Sequence, residues 1–177
     1  MEAYWASKAL SRKAVHDYMS TENPHFEIIQ LLPSVVIGPD MLAEIPADIL
    51  TGTRALALAP VLGQKIAYPL VGAPVNVLDV ARAHVEALSK KVPGNKDYIL
   101  SSDAPNGIEW NDVLKIGERY FAQVIENGVL KMGGSMGTTK FRLGTEETYN
   151  AFGWDMIAFE ETARQLISQY IELVEKI

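Results

Sequence analysis

Apolar residues recur at helical spacing near the start of the chain. Leu10, Ala14 and Tyr18 follow one another at intervals of four, with charged residues on the other faces. This period predicts an amphipathic helix from residue 4 to about residue 21. Asn23-Pro24 then ends the helix, because proline cannot continue the hydrogen-bond ladder.

The segment from Phe26 to Ile37 is apolar at almost every position on both sides of Pro33. Such a run is typical of a parallel strand that is covered on both faces. The remaining patterns predict the following elements: short helices between 41 and 63, extended segments at 65–70, 73–77 and 98–100, a helix capped by Asp79 that runs toward Lys91, a helix from Asn111 or Asp112 to 127–128, a glycine-rich surface loop at 132–139, and an amphipathic closing helix at 159–174.

Helices that alternate with a few buried strands indicate the α/β class. The chain offers few strands to pair with the apolar run at 26–37, so we predict an incomplete parallel sheet. No repeat and no linker divides the chain. Residues 1–177 are therefore predicted to form a single domain.

Composition narrows the class of protein. The 177 residues include no cysteine and carry a net charge of −6, which excludes a disulfide scaffold and a cysteine-ligated zinc fold. The absence of a basic run argues against nucleic-acid binding, and the three histidines lack the spacing of metal ligands. We find no apolar stretch of about 20 residues and no leader-like start, so we expect no membrane segment and a cytoplasmic location.

The strongest chemical signal is Tyr4 followed by Lys8. On a helix these positions share one face, and a nearby ammonium lowers the pKa of a phenol from its ordinary value of about 10. A tyrosine placed in this way can act as a general acid or base toward a carbonyl or hydroxyl group. The spacing fits equally well a surface tyrosine that stacks on a lysine side chain.

Three blocks of sequence carry a resemblance to a known family: Tyr4–Leu10, Leu31–Pro39 and Val75–His84. In order and spacing they resemble the C-terminal half of the extended short-chain dehydrogenases/reductases, the NAD-dependent epimerase/dehydratase family. The nearest branch is that of the dihydroflavonol-reductase-like ketone and aldehyde reductases. Phe152-Gly153-Trp154 and the closing helix resemble the end of that family. The resemblance implies a truncated Rossmann-type fold with the C-terminal substrate-binding subdomain.

The resemblance also implies roles for individual residues. Tyr4 would exchange a proton with the substrate carbonyl, and Lys8 would lower the pKa of Tyr4 and bind the nicotinamide ribose. Pro33, Ser34 and Val36 would line the nicotinamide site. Separately, Met41 and Tyr68, with Leu42, Trp110 and Met132, are candidates either for the wall of a substrate cavity or for the core, and general burial trends favour the core.

The start of the chain departs from the family pattern. Members begin with a strand, a glycine-rich turn and a helix that hold the cofactor pyrophosphate, and they supply a catalytic serine or threonine upstream of the tyrosine. Here only Met1-Glu2-Ala3 precede Tyr4, and the loop at 133–137 lacks the G-x-G-x-x-G spacing. We therefore expect no cofactor on the isolated chain, and NADP or NAD once the missing half is supplied.

Three functions remain open at this point. In the first, the chain is a diverged enzyme that uses Tyr4 and Lys8 for non-redox isomerisation, dehydration or cyclisation in small-molecule biosynthesis. Alternatively, it is the C-terminal half of an NAD(P)H-dependent carbonyl reductase, or it is a non-catalytic binding or dimerisation module. In each enzymatic case the substrate is a small molecule. An uncovered apolar strand is a liability in water, so we also expect a homo-oligomer or a partner chain.

Overall fold

The computed structural model describes residues 2–176, in which helices alternate with short strands. In chain order the elements are α1 (Glu2–Glu22), β1 (Ile29–Pro33), β2 (Val35–Ile37), α2 (Pro46–Ile49), α3 (Gly52–Leu58), β3 (Lys65–Val71), β4 (Pro74–Asn76), α4 (Val77–Glu86), β5 (Lys96–Leu100), α5 (Asp112–Tyr120), α6 (Ala122–Glu126), β6 (Ser135–Thr139), α7 (Glu146–Phe152) and α8 (Phe159–Glu175). None of the helices within 2–176 has both the length and the apolarity that crossing a bilayer requires.

All strand pairing is parallel. Strand β1 pairs with β5, β2 pairs with β4, and β3 pairs with β6. Within the described residues each strand has one hydrogen-bonded neighbour, so the molecule contains three two-stranded sheets. The predicted α/β class with an incomplete parallel sheet is confirmed.

The apolar run that we predicted as one strand forms two, and this prediction is wrong in detail. The amide of Ser34 donates to the Leu100 carbonyl at 3.0 Å, and the amide of Val35 donates to the Ala73 carbonyl at 2.9 Å. The extended chain thus changes its neighbour from β5 to β4 at Ser34. Pro33 lies at the end of β1, where its missing N–H interrupts the ladder. Strand β1 is also half-buried rather than covered on both faces.

The N-cap of α4 is Asn76, not Asp79 as predicted. The Asn76 side chain accepts a hydrogen bond from the Leu78 amide at 2.9 Å and so caps the helix. Asp79 lies in the first turn, buried, and accepts from the Ile157 amide at 2.7 Å. Burial raises the pKa of Asp79 despite this hydrogen bond. Asp79 therefore joins α4 to the segment before α8.

The glycine-rich segment at 132–139 was predicted as a surface loop, and this is wrong. Its second half is β6, which pairs with β3. A Cβ atom at Gly134 would lie only 2.7 Å from the Pro60 carbonyl oxygen, so glycine at this position permits close backbone packing. A glycine there marks contact between chain segments, not exposure.

The helix predicted from 111 or 112 to 127–128 is interrupted. Phe121 lies between α5 and α6 with φ −132° and ψ 30°, outside the helical region. Its ring packs against the core, so the turn places an apolar side chain inward. The closing helix is confirmed as α8.

The main core lies where α8 packs against α5, α3 and the strands. Trp110 is fully buried at its centre, stacks edge-on against Phe159 with ring centroids 5.5 Å apart, and donates from Nε1 to the Val71 carbonyl at 3.1 Å. The largest fully buried side chains around it are Ile37, Ile49, Leu58, Leu130, Met136, Leu166 and Ile167. A smaller cluster of Val75, Ala83, Leu100 and Met156 lies beneath α4.

We predict that Trp110→Ala destabilises the protein by about 3–5 kcal/mol, because it leaves a cavity and frees the Val71 carbonyl. The matched control is Trp5→Ala at a position that is 60% exposed, where a change within about 0.5 kcal/mol is expected. Urea unfolding followed by circular dichroism measures both. Equal effects of the two substitutions would contradict the assignment of the core.

Candidate functional site

The predicted catalytic pair lies near the start of α1, open to solvent. Tyr4 is 61% exposed, and the Lys8 Nζ atom lies 5.5 Å from the centre of the Tyr4 ring. The structure therefore brings the two side chains together, with the ammonium over the ring face. Ser7 Oγ donates to the Tyr4 carbonyl at 2.7 Å. A phenol in this position is accessible to a second molecule.

Helix α1 has almost no buried face. From residue 3 to residue 22 only Val15 and Met19 are half-buried, and all other side chains are exposed. The apolar stripe that predicted the helix, including Leu10 and Tyr18, points to solvent. Apolar packing therefore contributes little to holding α1 against the strands.

A polar cluster around Asp97 of β5 joins α1 to the strands. Asp97 Oδ2 accepts hydrogen bonds from Arg12 Nε at 2.5 Å and from His16 Nε2 at 3.0 Å, and a second Arg12 nitrogen also pairs with it. Asp97 Oδ1 accepts from Gln30 Nε2 at 3.0 Å. Burial alone raises the pKa of Asp97, but the hydrogen bonds from His16 and Arg12 outweigh it and lower this pKa below its ordinary value.

The anchor at Asp97 lies two turns along α1 from Tyr4. Late residues of α1 and the first residues of β1 line the same small crevice. From Arg12 back to Tyr4 the helix rises about 12 Å, and from Gln30 to Ser34 the strand rises about 13 Å. Ser34 directly follows the carboxyl end of β1, which is where ligands bind in parallel α/β sheets.

The residues predicted to line a nicotinamide site lie around this strand end. Pro33 is exposed and Val36 is half-buried. The Ser34 Oγ atom is buried and has no hydrogen-bond partner in the described chain. A buried hydroxyl without a partner is unfavourable, so this atom suits a ligand that supplies a polar group. The residues present thus fit the nicotinamide end of a dinucleotide.

A crevice of about 280 Å³ adjoins Val36, between residues 36–39 and residues 51–54. Its rim is held by Asp40, whose carboxylate pairs with Arg54 Nη1 at 2.5 Å. The backbone amide of Asp40 donates to Gln169 Oε1 at 2.9 Å, and its carbonyl accepts from Gln169 Nε2 at 2.7 Å. A hydrogen bond from the Leu42 amide and the nearby Arg54 guanidinium lower the pKa of Asp40.

Met41 and Tyr68, the two candidates for a cavity wall, are both exposed, at 82% and 52%. Leu42 is exposed as well, so the core location favoured for these three residues is wrong. Trp110 and Met132 do belong to the core or pack against it. Met41 directly follows the Asp40 clamp and extends an apolar side chain into solvent.

A larger cleft of about 920 Å³ runs beside β1 on the α4 side. It is lined by Glu27, Ile29, Leu31 and His84, together with residues 87–90 and 92–94. Apolar side chains of β1, a strand that is paired on one edge, therefore line this cleft. In residues 2–176 no group of three or more His, Asp or Glu side chains is arranged to hold a metal ion.

The sequence analysis missed Arg12, His16 and Asp97 as parts of the site. One signal was available, because Tyr4, Lys8, Arg12 and His16 follow one another at intervals of four. Each step of four residues turns only about 40° around a helix, so neighbouring members share a face. No such signal marked Asp97, because it lies 85 positions from Arg12 along the chain.

Comparison with known proteins finds that the chain is similar to part of several reductases and epimerase/dehydratases. The chain is 35% identical to Ketoreductase CTB6 of Cercospora nicotianae over 99% of its length, which covers 50% of that protein. It is 30% identical over 56% of its length to the NAD-dependent epimerase/dehydratase FUM13 of Gibberella moniliformis, covering 31% of it. No protein-family model matches the chain. It spans about half the length of the curated relatives that it matches almost from end to end.

The fold agrees with solved reductase structures. Yeast methylglyoxal/isovaleraldehyde reductase Gre2, solved in complex with NADPH, superposes with a TM-score of 0.69 at 21% identity. The match covers 94% of this chain and 54% of that one. A TM-score of 0.71 over 97% of this chain is found for Gre2 from Candida albicans, at 20% identity.

We predict that the stability contributed by Asp97 depends on pH. A carboxyl group whose folded pKa is lowered stabilises the fold above its unfolded pKa of about 3.9 and loses this effect as the pH falls through the folded pKa. The difference in free energy of unfolding between wild type and Asp97→Asn should therefore be constant between about pH 5 and 7 and shrink below about pH 4. Urea titrations across this range measure it.

The control is Asp17→Asn, an exposed α1 carboxylate that pairs with Lys13 on its own helix. Its effect on unfolding should be near zero, as for most exposed pairs. A difference for Asp97→Asn that persists unchanged to pH 2 would contradict the role of the charged form.

Proposed function

Because the chain belongs to the extended short-chain dehydrogenase/reductase family, whose C-terminal half it matches, we propose that it is the catalytic and substrate-binding half of an NAD(P)H-dependent carbonyl reductase. It would work with a dinucleotide-binding polypeptide that corresponds to the other half of its relatives. The ketoreductase and aldehyde reductase names of those relatives support a small ketone or aldehyde as the substrate class.

One observation carries this proposal. A solvent-open tyrosine on α1 has an ammonium 5.5 Å from its ring centre, and a buried serine hydroxyl lacks a partner within the described residues. The serine directly follows the carboxyl end of β1, the usual ligand site of a parallel sheet, and we infer that the tyrosine acts at this end. This arrangement supports Tyr4 as a proton donor beside a bound nicotinamide ring.

In the proposed reaction Tyr4 supplies the proton. A reduced nicotinamide, when bound, supplies the hydride that adds to the carbonyl carbon of the substrate. The Tyr4 hydroxyl donates its proton to the carbonyl oxygen, so that the product is an alcohol. The Lys8 ammonium stabilises the negative charge that the tyrosine oxygen then carries.

Pro33, Ser34 and Val36 would hold the nicotinamide end of the cofactor. The Ser34 hydroxyl has no hydrogen-bond partner within the described residues, and exposed Pro33 and half-buried Val36 supply apolar atoms for contact with a ring. The crevice next to Val36 would receive the substrate, and Met41 follows two residues after Pro39 of its lining. The exposed methionine suits an apolar substrate, because its flexible side chain adapts to different shapes.

The free edge of β1 would receive the partner polypeptide. Within the described residues β1 pairs with β5 alone, and the cleft beside it exposes Ile29 and Leu31. An unpaired edge of this kind is a template for a further strand. Self-association and non-redox chemistry by Tyr4 and Lys8 stay predictions.

We predict that the chain, mixed with the half of the Cercospora ketoreductase that it does not match, oxidises NADPH in the presence of isovaleraldehyde. Tyr4→Phe should lower kcat by a factor of about 10² to 10⁴, because the proton donor is lost. The decrease in NADPH absorbance measures the rate. The matched control is Tyr18→Phe on the same helix, which should leave kcat unchanged. A full rate for Tyr4→Phe would contradict the proposed function.

A second prediction concerns the edge of β1. Binding of the partner half should protect the amides of residues 29–32 from hydrogen exchange, because a new strand would pair with β1. The amides of β3 and β6 serve as the internal control and should exchange at the same rate with and without the partner. Partner binding that leaves 29–32 unprotected would place the interface elsewhere.

A further inference from the structure

We propose that Asp97 is a positioning residue that fixes the rotation of α1 and thereby aims Tyr4 and Lys8 at the strand end. The inference rests on the proposed function for the role of the pair, but the contacts that carry it concern Asp97 alone. No catalytic contact of Asp97 itself is needed.

The first argument is the shortage of other restraints on α1. Its side chains are exposed except for half-buried Val15 and Met19. Among the described side chains of α1, residues 3–22, every hydrogen bond with another element has Asp97 or Gln30 as its partner. The remaining side-chain bonds of α1, such as Lys13 to Asp17, stay within the helix. Without the Asp97 cluster, only two apolar contacts would resist rotation of the helix.

The second argument is the geometry of the cluster. Two nitrogens of Arg12, Nε and Nη2, both pair with Oδ2 of Asp97, so the edge of the planar guanidinium is directed at one carboxylate oxygen. His16 binds the same oxygen from the next turn. Two contacts on successive turns define both the height and the rotation of α1.

The third argument is where Asp97 stands. Its side chain is 13% exposed, and it lies opposite Gln30 in the β1–β5 register. Gln30 Nε2 donates to Asp97 Oδ1 at 3.0 Å, which restrains the carboxylate from the strand side. The anchor therefore belongs to the paired strands that also carry Ser34 at their end.

The fourth argument is the continuity of the helix face. Lys8 precedes Arg12 by one turn and Tyr4 precedes Lys8 by another, each displaced by only about 40° around the axis. A rotation of α1 at Arg12 therefore moves Tyr4 by the same angle. The anchor and the catalytic pair behave as one rigid unit because an α-helix transmits rotation along its length.

The first experiment measures the helix directly. The chain contains no cysteine, so spin labels at Ser11→Cys on α1 and Asn150→Cys on α7 report one distance. α7 is a suitable reference because Thr148 Oγ1 donates to the Ile99 carbonyl of β5 at 2.9 Å. We expect a narrow distance distribution in the otherwise unchanged chain. Asp97→Ala should broaden it at least twofold.

Two further variants control this measurement. Asp17→Ala removes an α1 carboxylate that does not reach the strands and should keep the distribution narrow. Arg12→Ala removes the partner from the exposed side of the ion pair, so it keeps the fold, and it should broaden the distribution as Asp97→Ala does. A narrow distribution in both Asp97→Ala and Arg12→Ala would overturn the proposal.

The second experiment separates positioning from general stability. In the reconstituted NADPH reaction, Asp97→Ala should lower kcat about tenfold in the presence of Tyr4 and have no further effect in the Tyr4→Phe protein, because a proton donor that is absent cannot be misaimed. An equal loss in both backgrounds would show a merely structural role and overturn the proposal. If the distance distribution broadens in Asp97→Ala while Tyr4→Phe keeps full activity, Asp97 still positions α1 and it is the proposed function that fails.

Discussion

The parallel pairing of β1 with β5 is the interaction on which the site depends. It places Gln30 beside Asp97, and this pair of polar side chains holds a helix that has almost no buried face of its own. The same pairing ends at Leu100, where the chain passes from one strand neighbour to another and leaves the Ser34 hydroxyl buried. A local ladder of backbone hydrogen bonds thus determines both where α1 lies and where the Ser34 hydroxyl is buried without a partner.

Much of the fold follows from patterns in the sequence, because periodicity reports local geometry. α1 and α8 were predicted from apolar spacing, and the short helices predicted between 41 and 63 are α2 and α3. The errors arose where contacts between distant parts of the chain determine the local structure. The division of the apolar run at Ser34 depends on which strands lie alongside, and the glycines before β6 serve close packing as well as turns. Neither is visible in a single stretch of chain.

The site was predictable to the same extent. The proximity of Tyr4 and Lys8 follows from helical spacing, and the structure agrees with it. The contact between Arg12 and Asp97 joins residues 85 positions apart, so no local pattern contains it. The burial of Ser34 Oγ without a partner depends equally on neighbouring strands. Resemblance to a family names positions along the sequence, whereas the polar contacts around Asp97 are seen in the structure.

The clamp between Gln169 and Asp40 ties the crevice to the C-terminal helix. One amide side chain of α8 holds both backbone groups of Asp40, which directly follows Pro39 of the crevice lining. The backbone that leads into Met41 is therefore held by a helix that contributes no residue to this lining. Shortening or replacing α8 would release that backbone, so the C-terminal helix helps to shape the crevice from outside it.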